Sequence, residues 1–324
     1  MHRNFRRWAA ALIGTTAILS APAAMAQDYP SKPVRLVISY PAGGPSDLVG
    51  RLLGRELHEN LKQPVVVENR GGASGLIGLD NITKSAPDGY SLMVLNNTTT
   101  TALHFQQADL NMKERFTPVG SFLGVRMLMV VNPKLVDVKD VKGLVEHAKR
   151  NPDLQYTSSG PGSPAHMMIE EFGRKNNLQF SHIPYKGSAA ALLDTVAGRV
   201  GVMVVEAYSA LPHIKTGAIR PIATVSPGRA SLLPDLPTST EQGFPGLVMD
   251  SSFGLIAPPD LPKPIVERLE KALSNAVKSD AFLEHAKVAG NAIDYVDSAE
   301  YGDRLQKDFD RWGLVIKELG ISSN

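Results

Sequence analysis

Apolar runs alternate with short polar segments that contain glycine along most of the chain. The run VRLVISY (Val34–Tyr40) is typical of a buried strand, and the segment PAGGPSD (Pro41–Asp47) follows it. Leucines at helical spacing then predict a helix from Ser46 to Asn60. Further apolar runs predict strands at Val65–Glu68 and Leu92–Leu95. Because neighbouring parallel strands need a crossover connection such as a helix, this order predicts a parallel sheet.

The same order of strand, loop and helix returns between residues 127 and 224. Two such series of similar size predict an α/β protein with two lobes, each a mixed, mostly parallel sheet flanked by helices. We expect the first lobe to comprise residues 27–130 and 251–324, and the second to comprise residues 131–250.

Two helices are predicted to finish the chain, over residues 263–278 and 298–319. They have no strand series of their own, so we expect them to pack on the first lobe rather than to form a third domain. An apolar stripe in the last helix is best explained by core packing. Its members are Tyr301, Leu305, Phe309, Trp312 and Ile316.

The first 26 residues have the pattern of a secretory signal peptide. Three arginines among the first seven residues precede an apolar run over 8–19, and the run leads to the cleavage pattern Ala24-Met25-Ala26. The apolar run is too short to span a membrane. A buried N-terminal helix would explain neither the arginines nor the cleavage pattern. We therefore expect the mature protein in the bacterial periplasm.

Removal of this leader changes the charge balance. The whole chain has 34 Lys and Arg against 32 Asp and Glu, and the leader contains three Arg and no acidic residue, which leaves 31 against 32. A basic surface for nucleic acid is therefore not expected. The chain contains no cysteine and its histidines are scattered, so we expect no metal and no cofactor. Nothing in the pattern indicates an oligomer, and a monomer is the default expectation.

The segment PAGGPSD suggests a binding loop for an anion. Gly43 and Gly44 allow close approach of a ligand to the backbone, and the N–H groups and dipole of the following helix favour a negative charge there. Ser46 can add a hydroxyl donor. The design recurs at Ser158–Ser163 and more weakly at Lys186–Ser188. One such loop alone would be explained by a tight turn, whereas two at equivalent junctions favour a ligand site. No phosphate-binding P-loop motif is present.

Several residues in these loops have two interpretations. Asp47 can bond backbone N–H groups at the helix start, or contact a ligand or a water. His166 can donate to a ligand, or bond the loop backbone. Ser163 and His166 lie three residues apart at a helix start, but Gly162-Ser163-Pro164 does not match the nucleophile motif G-x-S-x-G. We therefore do not expect an enzyme, although a secreted serine hydrolase is the rival hypothesis.

Several longer segments carry a resemblance to a known family. They are YPSKPVRLVISYPAGGPSD, VVVENRGGASGLIG, SAPDGYSL, YTSSGPGSPAH, IPYKGSAAAL, LPDLPTSTEQGFPG and APPDLPKPIVERL. Together they resemble the Bug family, the extracytoplasmic solute receptors of tripartite tricarboxylate transporters, from about Tyr29 to the C-terminus. The resemblance implies a type II periplasmic binding fold that closes on a small organic acid and delivers it to the membrane subunits of such a transporter. A sensor that docks a signalling partner is the alternative.

The resemblance also implies which residues bind the ligand. In the family, the loops matching Tyr40–Asp47 and Ser158–His166 hold a ligand carboxylate with backbone N–H groups, hydroxyls and waters. Matching positions add Asn96–Thr98 and Tyr185–Ser188. The residues expected to bind the ligand are Tyr40, Ala42, Gly43, Gly44, Ser46, Asp47, Asn96, Asn97, Thr98, Ser158, Ser159, Gly160, Gly162, Ser163, His166, Tyr185, Lys186, Gly187, Ser188 and Glu206.

Two positions depart from the family pattern. Glu206, or its neighbour Val205, stands where members often have Asp, and Ser252 stands where many have Trp. Glu206 is expected either to contact an amino or hydroxyl group at the far end of the ligand or to face solvent. The small Ser252 is expected to enlarge the far end of the cleft or to let water into it.

Overall fold

The computed structural model describes residues 29–104, 110–185, 187–249 and 251–320. The first part of the chain forms β1 (Val34–Ile38), α1 (Pro45–Leu61), β2 (Val65–Asn69), α2 (Leu76–Thr83), β3 (Ser91–Asn96), α3 (Asn97–Leu103), α4 (Met112–Arg115) and β4 (Thr117–Gly124). The middle forms β5 (Met127–Val131), α5 (Val141–Arg150), β6 (Leu154–Ser158), α6 (Pro164–Lys175), β7 (Phe180–Pro184), α7 (Ser188–Val196), β8 (Val202–Glu206), α8 (Ala207–Lys215) and β9 (Arg220–Thr224). The chain then returns through β10 (Ser252–Ala257), α9 (Lys263–Ala276), α10 (Asp280–Ala289), β11 (Ala292–Val296) and α11 (Ser298–Leu319). The expected signal peptide, residues 1–26, lies outside the described residues.

The strands form two mixed sheets, which confirms the predicted two-lobed α/β fold. The first sheet has the order β11-β4-β10-β3-β1-β2, and the second has the order β7-β6-β8-β5-β9. In the first, β1 pairs in parallel with β2 and β3, while β10 runs antiparallel between β3 and β4. In the second, β6 pairs in parallel with β7 and β8, while β5 runs antiparallel between β8 and β9.

The two sheets repeat one topology. Strands β1, β2 and β3 correspond to β6, β7 and β8, and each of the six leads to the start of a helix, directly after β3 and β8 and through a loop after the other four. Since the carboxyl ends of parallel strands meet at one edge of a sheet, each lobe gathers three strand–helix junctions at one edge.

The chain passes between the sheets twice. Strand β5 belongs to the second sheet, so the first passage lies at residues 125–126, a few residues before the boundary expected at 130. The return passage lies between residues 249 and 252, near the expected boundary, and its residue 250 is outside the described ranges.

The final helices pack on the first lobe, as predicted. Helix α11 lies against β4 and also reaches α6 of the second lobe, and α9 lies against α1. Tyr301, Phe309 and Trp312 of its apolar stripe are almost completely buried. Gly254 of β10 makes this packing possible, because a Cβ there would lie 2.1 Å from the ring of Tyr301.

Five elements were not predicted from the sequence, namely α3, α4, β4, α10 and β11. Strand β4 contains proline and two glycines, and β11 is an edge strand with a polar residue at its centre. Neither has the alternation that marks a strand in sequence. None of the helices in the described ranges contains an apolar stretch long enough to cross a membrane.

Candidate functional site: a cleft between the two sheets

A cleft of about 900 Å³ lies between the two lobes, and all six strand–helix junctions contribute to its walls. A second depression of about 500 Å³ lies beside Lys113 and Asp303, but it is more open and these two side chains pair with each other at 2.7 Å. The convergence of six junctions makes the cleft the candidate site. The first lobe contributes Tyr40–Gly44, Ser46, Gly72–Gly75 and Asn96–Thr98, the second contributes Ser159, Pro164, Ala165, Gly187–Ala189, Val204, Glu206 and Tyr208, and the passages contribute Val125, Met127, Met249 and Ser251–Phe253.

Asp47 holds the first loop from beneath. Its Oδ2 accepts hydrogen bonds from the backbone N–H of Gly43 at 2.9 Å and from Nε of Arg51 at 2.9 Å, and its Oδ1 accepts from the amide of Asn69 at 2.9 Å. The hydrogen bond from Arg51 is the main reason that the pKa of this carboxyl falls to about 2. Asp47 is buried and does not line the cleft. Of the two interpretations of Asp47, the structure shows the bond to backbone N–H.

The start of α1 offers donors to the cleft. Gly44 is the N-cap and Pro45 has no N–H, so the N–H groups of Gly44 and Ser46 belong to those that lack an acceptor within the helix. No side chain caps this helix end. The hydroxyl of Ser46 adds a further donor, and the helix dipole favours an anion at the same place.

At the third junction of the first lobe, between β3 and α3, the side chains of Asn96 and Asn97 form hydrogen bonds within the protein. The hydroxyl of Tyr40 donates to Oδ1 of Asn96 at 3.2 Å, and that oxygen also accepts from the N–H of Thr99. Burial raises the pKa of Tyr40. Asn97 donates to Asp308 at 2.8 Å and accepts from the N–H of Ser252 at 2.7 Å. Thr98 lines the cleft.

In the second lobe, the loop between β6 and α6 corresponds to the loop between β1 and α1, and its polar side chains mostly bond the loop backbone rather than face the cleft. Oγ of Ser158 accepts from the N–H of Gly160 at 3.1 Å and bonds Nε2 of His182 at 2.7 Å. Ser163 caps α6 by accepting the N–H of His166. Nδ1 of His166 accepts from the N–H of Gly162 at 3.0 Å, so His166 bonds the loop backbone. Ser158, Gly160, Gly162, Ser163 and His166 do not line the cleft, whereas Ser159 does.

Two histidines, His166 and His182, stack beside the loop between β6 and α6, and burial lowers the pKa of both, which favours their neutral form at pH 7. The ring of His166 stacks on the ring of His182 with centroids 4.0 Å apart. Burial lowers the pKa of His166 to about 4. Because Nδ1 accepts a hydrogen bond, the proton lies on Nε2. Oγ of Ser163 accepts the backbone N–H of His166, and Nδ1 of the His166 ring accepts the N–H of Gly162 instead of a proton from Ser163. This pair therefore lacks the geometry of a nucleophile and its base.

The last predicted residues lie at α7 and α8. Gly187 and Ser188 line the cleft at the start of α7, while the hydroxyl of Tyr185 donates to Asp194 at 2.5 Å and does not line it. Lys186 lies outside the described residues. Glu206 lines the cleft at the end of β8, and its Oε2 is inaccessible to solvent. Glu206 therefore lies in the cleft, and its contact with a ligand stays a prediction.

Comparison with known proteins agrees with this architecture. Residues 49–321 match the family described as "Tripartite tricarboxylate transporter family receptor". This chain belongs to that family. It is 31% identical to the BugT protein of Bordetella pertussis over 309 residues, which covers 94% of each chain. The resemblance to the Bug family is thereby confirmed.

Solved structures show the same fold for receptors of this type. A Rhodopseudomonas palustris protein, Rpa4515 with adipate, is 30% identical, has a TM-score of 0.79 and is matched over 91% of this chain and 99% of its own. MatC from the same organism, with bound malate, is 26% identical, has a TM-score of 0.77 and is matched over 89% of this chain and 100% of its own.

Two parts of the cleft of this tricarboxylate transporter family receptor were not predicted. The loop Gly72–Gly75 has positive φ at all four residues, between 48° and 128°. Its sequence, GGASG, is a glycine-rich segment that follows a predicted strand, as PAGGPSD does, and so could have been predicted as a binding loop. The second part is an apolar wall from the passages, which includes Met127, Met249 and Phe253. No local signal marks these residues, because they meet only when the two lobes are placed together.

Proposed function

We propose that this chain is a periplasmic receptor that captures a small organic carboxylate between its lobes and delivers it to the membrane subunits of a tripartite tricarboxylate transporter. The observation that supports this most directly is the convergence of helix starts from both lobes on one cleft, where they offer neutral N–H and hydroxyl donors. The expected signal peptide supports export to the periplasm.

A carboxylate fits the donors of the first lobe. Its oxygens accept hydrogen bonds from the N–H groups of Gly44 and Ser46 and from the Ser46 hydroxyl, at the positive end of α1. Gly43 lines the same loop, but its N–H is already bonded to Asp47. None of the described lining residues is Lys, Arg or His, so the anion is held by neutral donors in this proposal.

The second lobe completes the site when the lobes close. Ser159 and the start of α7 at Gly187 and Ser188 bring further N–H and hydroxyl donors to the cleft. We place the hinge at the two passages, near 125–126 and 249–252. A ligand favours closure only as far as it binds the closed form more tightly than the open form.

The test is binding by the mature chain to a panel of carboxylates. The protein is first unfolded in guanidinium chloride and refolded, so that any ligand carried through purification is removed. A ligand at 100 times its Kd stabilises the fold by about 2.7 kcal/mol, a rise in melting temperature of a few degrees. The matching amide or methyl ester should give no shift. Equal shifts with acid and amide would overturn carboxylate recognition.

Two further measurements test the physiological role. Deletion of the receptor should abolish uptake of the identified acid into cells that retain the transporter subunits. Normal uptake together with loss of a transcriptional response to the acid would instead indicate a sensor. The bound acid should be recovered chemically unchanged by mass spectrometry, and its conversion would indicate a hydrolase.

A further inference from the structure

Glu206 occupies the same place in the second lobe that Asn96 occupies in the first. Each ends a strand of the parallel set, β8 or β3, and each is the N-cap of the following helix. The Asn96 side chain caps its helix by accepting the N–H of Thr99. The Glu206 side chain makes no capping hydrogen bond. The carboxyl of Glu206 is therefore not used to hold its own helix.

None of the described residues brings a positive charge to the carboxyl of Glu206. Among the described residues, no group donates a hydrogen bond to Oε2, although this oxygen is inaccessible to solvent. The backbone N–H of Glu206 itself and the hydroxyl of Ser188 hydrogen-bond the carboxyl, and burial followed by the Glu206 charge raises the pKa of nearby Tyr208. These neutral groups do not compensate burial, which raises the pKa of Glu206.

Glu206 is also the one acidic side chain among the described residues that line the cleft, and none of those residues is basic. A partly buried carboxyl with one unpartnered oxygen favours its neutral form, and a cation that binds to it stabilises the charged form. The described part of the cleft supplies no such cation, so a ligand can supply it.

We propose that Glu206 is a specificity-determining residue that binds a protonated amine at the end of the ligand opposite its carboxylate. This inference rests on the carboxylate-binding function proposed above. It makes the preferred ligand an amino acid with separated charges rather than a dicarboxylate. The aliphatic part between the two charges fits the apolar side chains of Met127, Val204 and Phe253 in the same cleft.

The alternatives fit the site less well. A second carboxylate beside Glu206 would place two like charges together, and one of them would have to take up a proton. A hydroxyl would donate one hydrogen bond but leave the charge of Glu206 uncompensated. An ammonium group provides three donors and the opposite charge.

The decisive experiment compares pairs of ligands with equal carbon number by titration calorimetry at pH 7 on the refolded mature chain. The pairs are 4-aminobutanoate and succinate, 5-aminopentanoate and glutarate, and 6-aminohexanoate and adipate. We expect the best amino acid to bind about 30-fold or more tightly than its matched dicarboxylate, since loss of one partner of a buried charge pair costs at least that factor.

Glu206→Gln tests the residue directly, because it keeps the shape of the side chain and removes the charge. Binding of the amino acid should weaken about 30-fold or more, while binding of the dicarboxylate should be unchanged or tighter. The melting temperature without ligand should not fall, because an uncompensated buried charge is removed. Glu146→Gln, on the exposed surface of α5 in the same lobe, is the matched control and should change none of these quantities.

The outcomes separate the two proposals. A native chain that binds dicarboxylates at least as tightly as the amino acids, with the same preference in Glu206→Gln, would overturn this inference and leave carboxylate binding intact. If neither series bound, and the wider carboxylate panel also failed, the proposed function would fall together with it.

Discussion

Asp47→Asn tests whether the buried carboxylate beneath the first loop organises both the fold and the site. The pKa of Asp47 falls from 3.8 to about 2, and each unit corresponds to 1.36 kcal/mol, which sets an upper value of about 2.5 kcal/mol. The side chain of Arg51 is 51% exposed, so solvent screens part of this interaction. We expect the variant to lose about 1–2 kcal/mol of unfolding free energy at pH 7.

The dependence on pH follows from the direction of the shift. A carboxyl whose pKa is lower in the folded state stabilises the fold above its unfolded pKa, and the contribution is lost as the pH falls towards 2. The difference between wild type and Asp47→Asn should therefore shrink between pH 5 and pH 2. Urea unfolding of the two proteins across this range measures the difference.

The same variant also reports on the site. Release of the Gly43 N–H frees the loop, and affinity for the carboxylate should fall about tenfold, or 1.4 kcal/mol. If Asp47→Asn were as stable as the wild type at pH 7, and the difference between the two did not change in acid, the role of Asp47 in holding the loop would be refuted. Reduced stability with unchanged affinity would show that the loop is not the binding site.

Three other substitutions test separate parts of the structure. Gly44→Val should abolish carboxylate binding without unfolding, because Gly44 lines the cleft and an added Cβ would meet only a backbone oxygen, at 3.6 Å. Calorimetry measures the binding and circular dichroism the folding. Gly254→Ala should lower the unfolding free energy by about 1–3 kcal/mol or more, measured by urea denaturation, since its Cβ would overlap the ring of Tyr301. The refolded fraction should still bind ligand. His166→Gln should reduce the loss of unfolding free energy between pH 6.5 and pH 4. As the pH falls through this range, His166 takes up a proton in the unfolded state but not in the folded state, where its pKa is about 4, so acid favours unfolding. An equal loss of unfolding free energy in the variant would contradict this.

The periodic elements could be predicted from the sequence because their signal is local. Helices α1 and α11 have one apolar stripe each and were placed within a few residues of their observed ends. The pattern failed where neighbours decide the structure. Strand β4 is buried along most of its length between β10 and β11, so it needs no alternation, and its proline and glycines concealed it.

The site was predicted in part for the same reason. Glycine-rich loops after predicted strands pointed to the positions that line the cleft in the first lobe. The direction of each polar side chain was not predictable, because it depends on backbone angles such as the positive φ of Gly160 and Gly162. These angles turn Ser158 and His166 towards their own loop, where they accept backbone N–H groups instead of contacting the cleft.

The repeated topology gives the two lobes equivalent positions with different chemistry. In the first lobe, Gly44 leaves the start of α1 uncapped, whereas in the second lobe Ser163 caps the start of α6. At the third junction Asn96 is used as a cap, whereas Glu206 is not. At these two pairs of junctions, the uncapped N–H groups of α1 lie in the first lobe and the carboxyl of Glu206 lies in the second. If the ligand reaches from the start of α1 to Glu206, changes at Gly44 should weaken the binding of all carboxylates alike. Changes at Glu206 should instead alter which carboxylate binds most tightly. Affinity and selectivity then reside in different lobes, and the two can be altered independently.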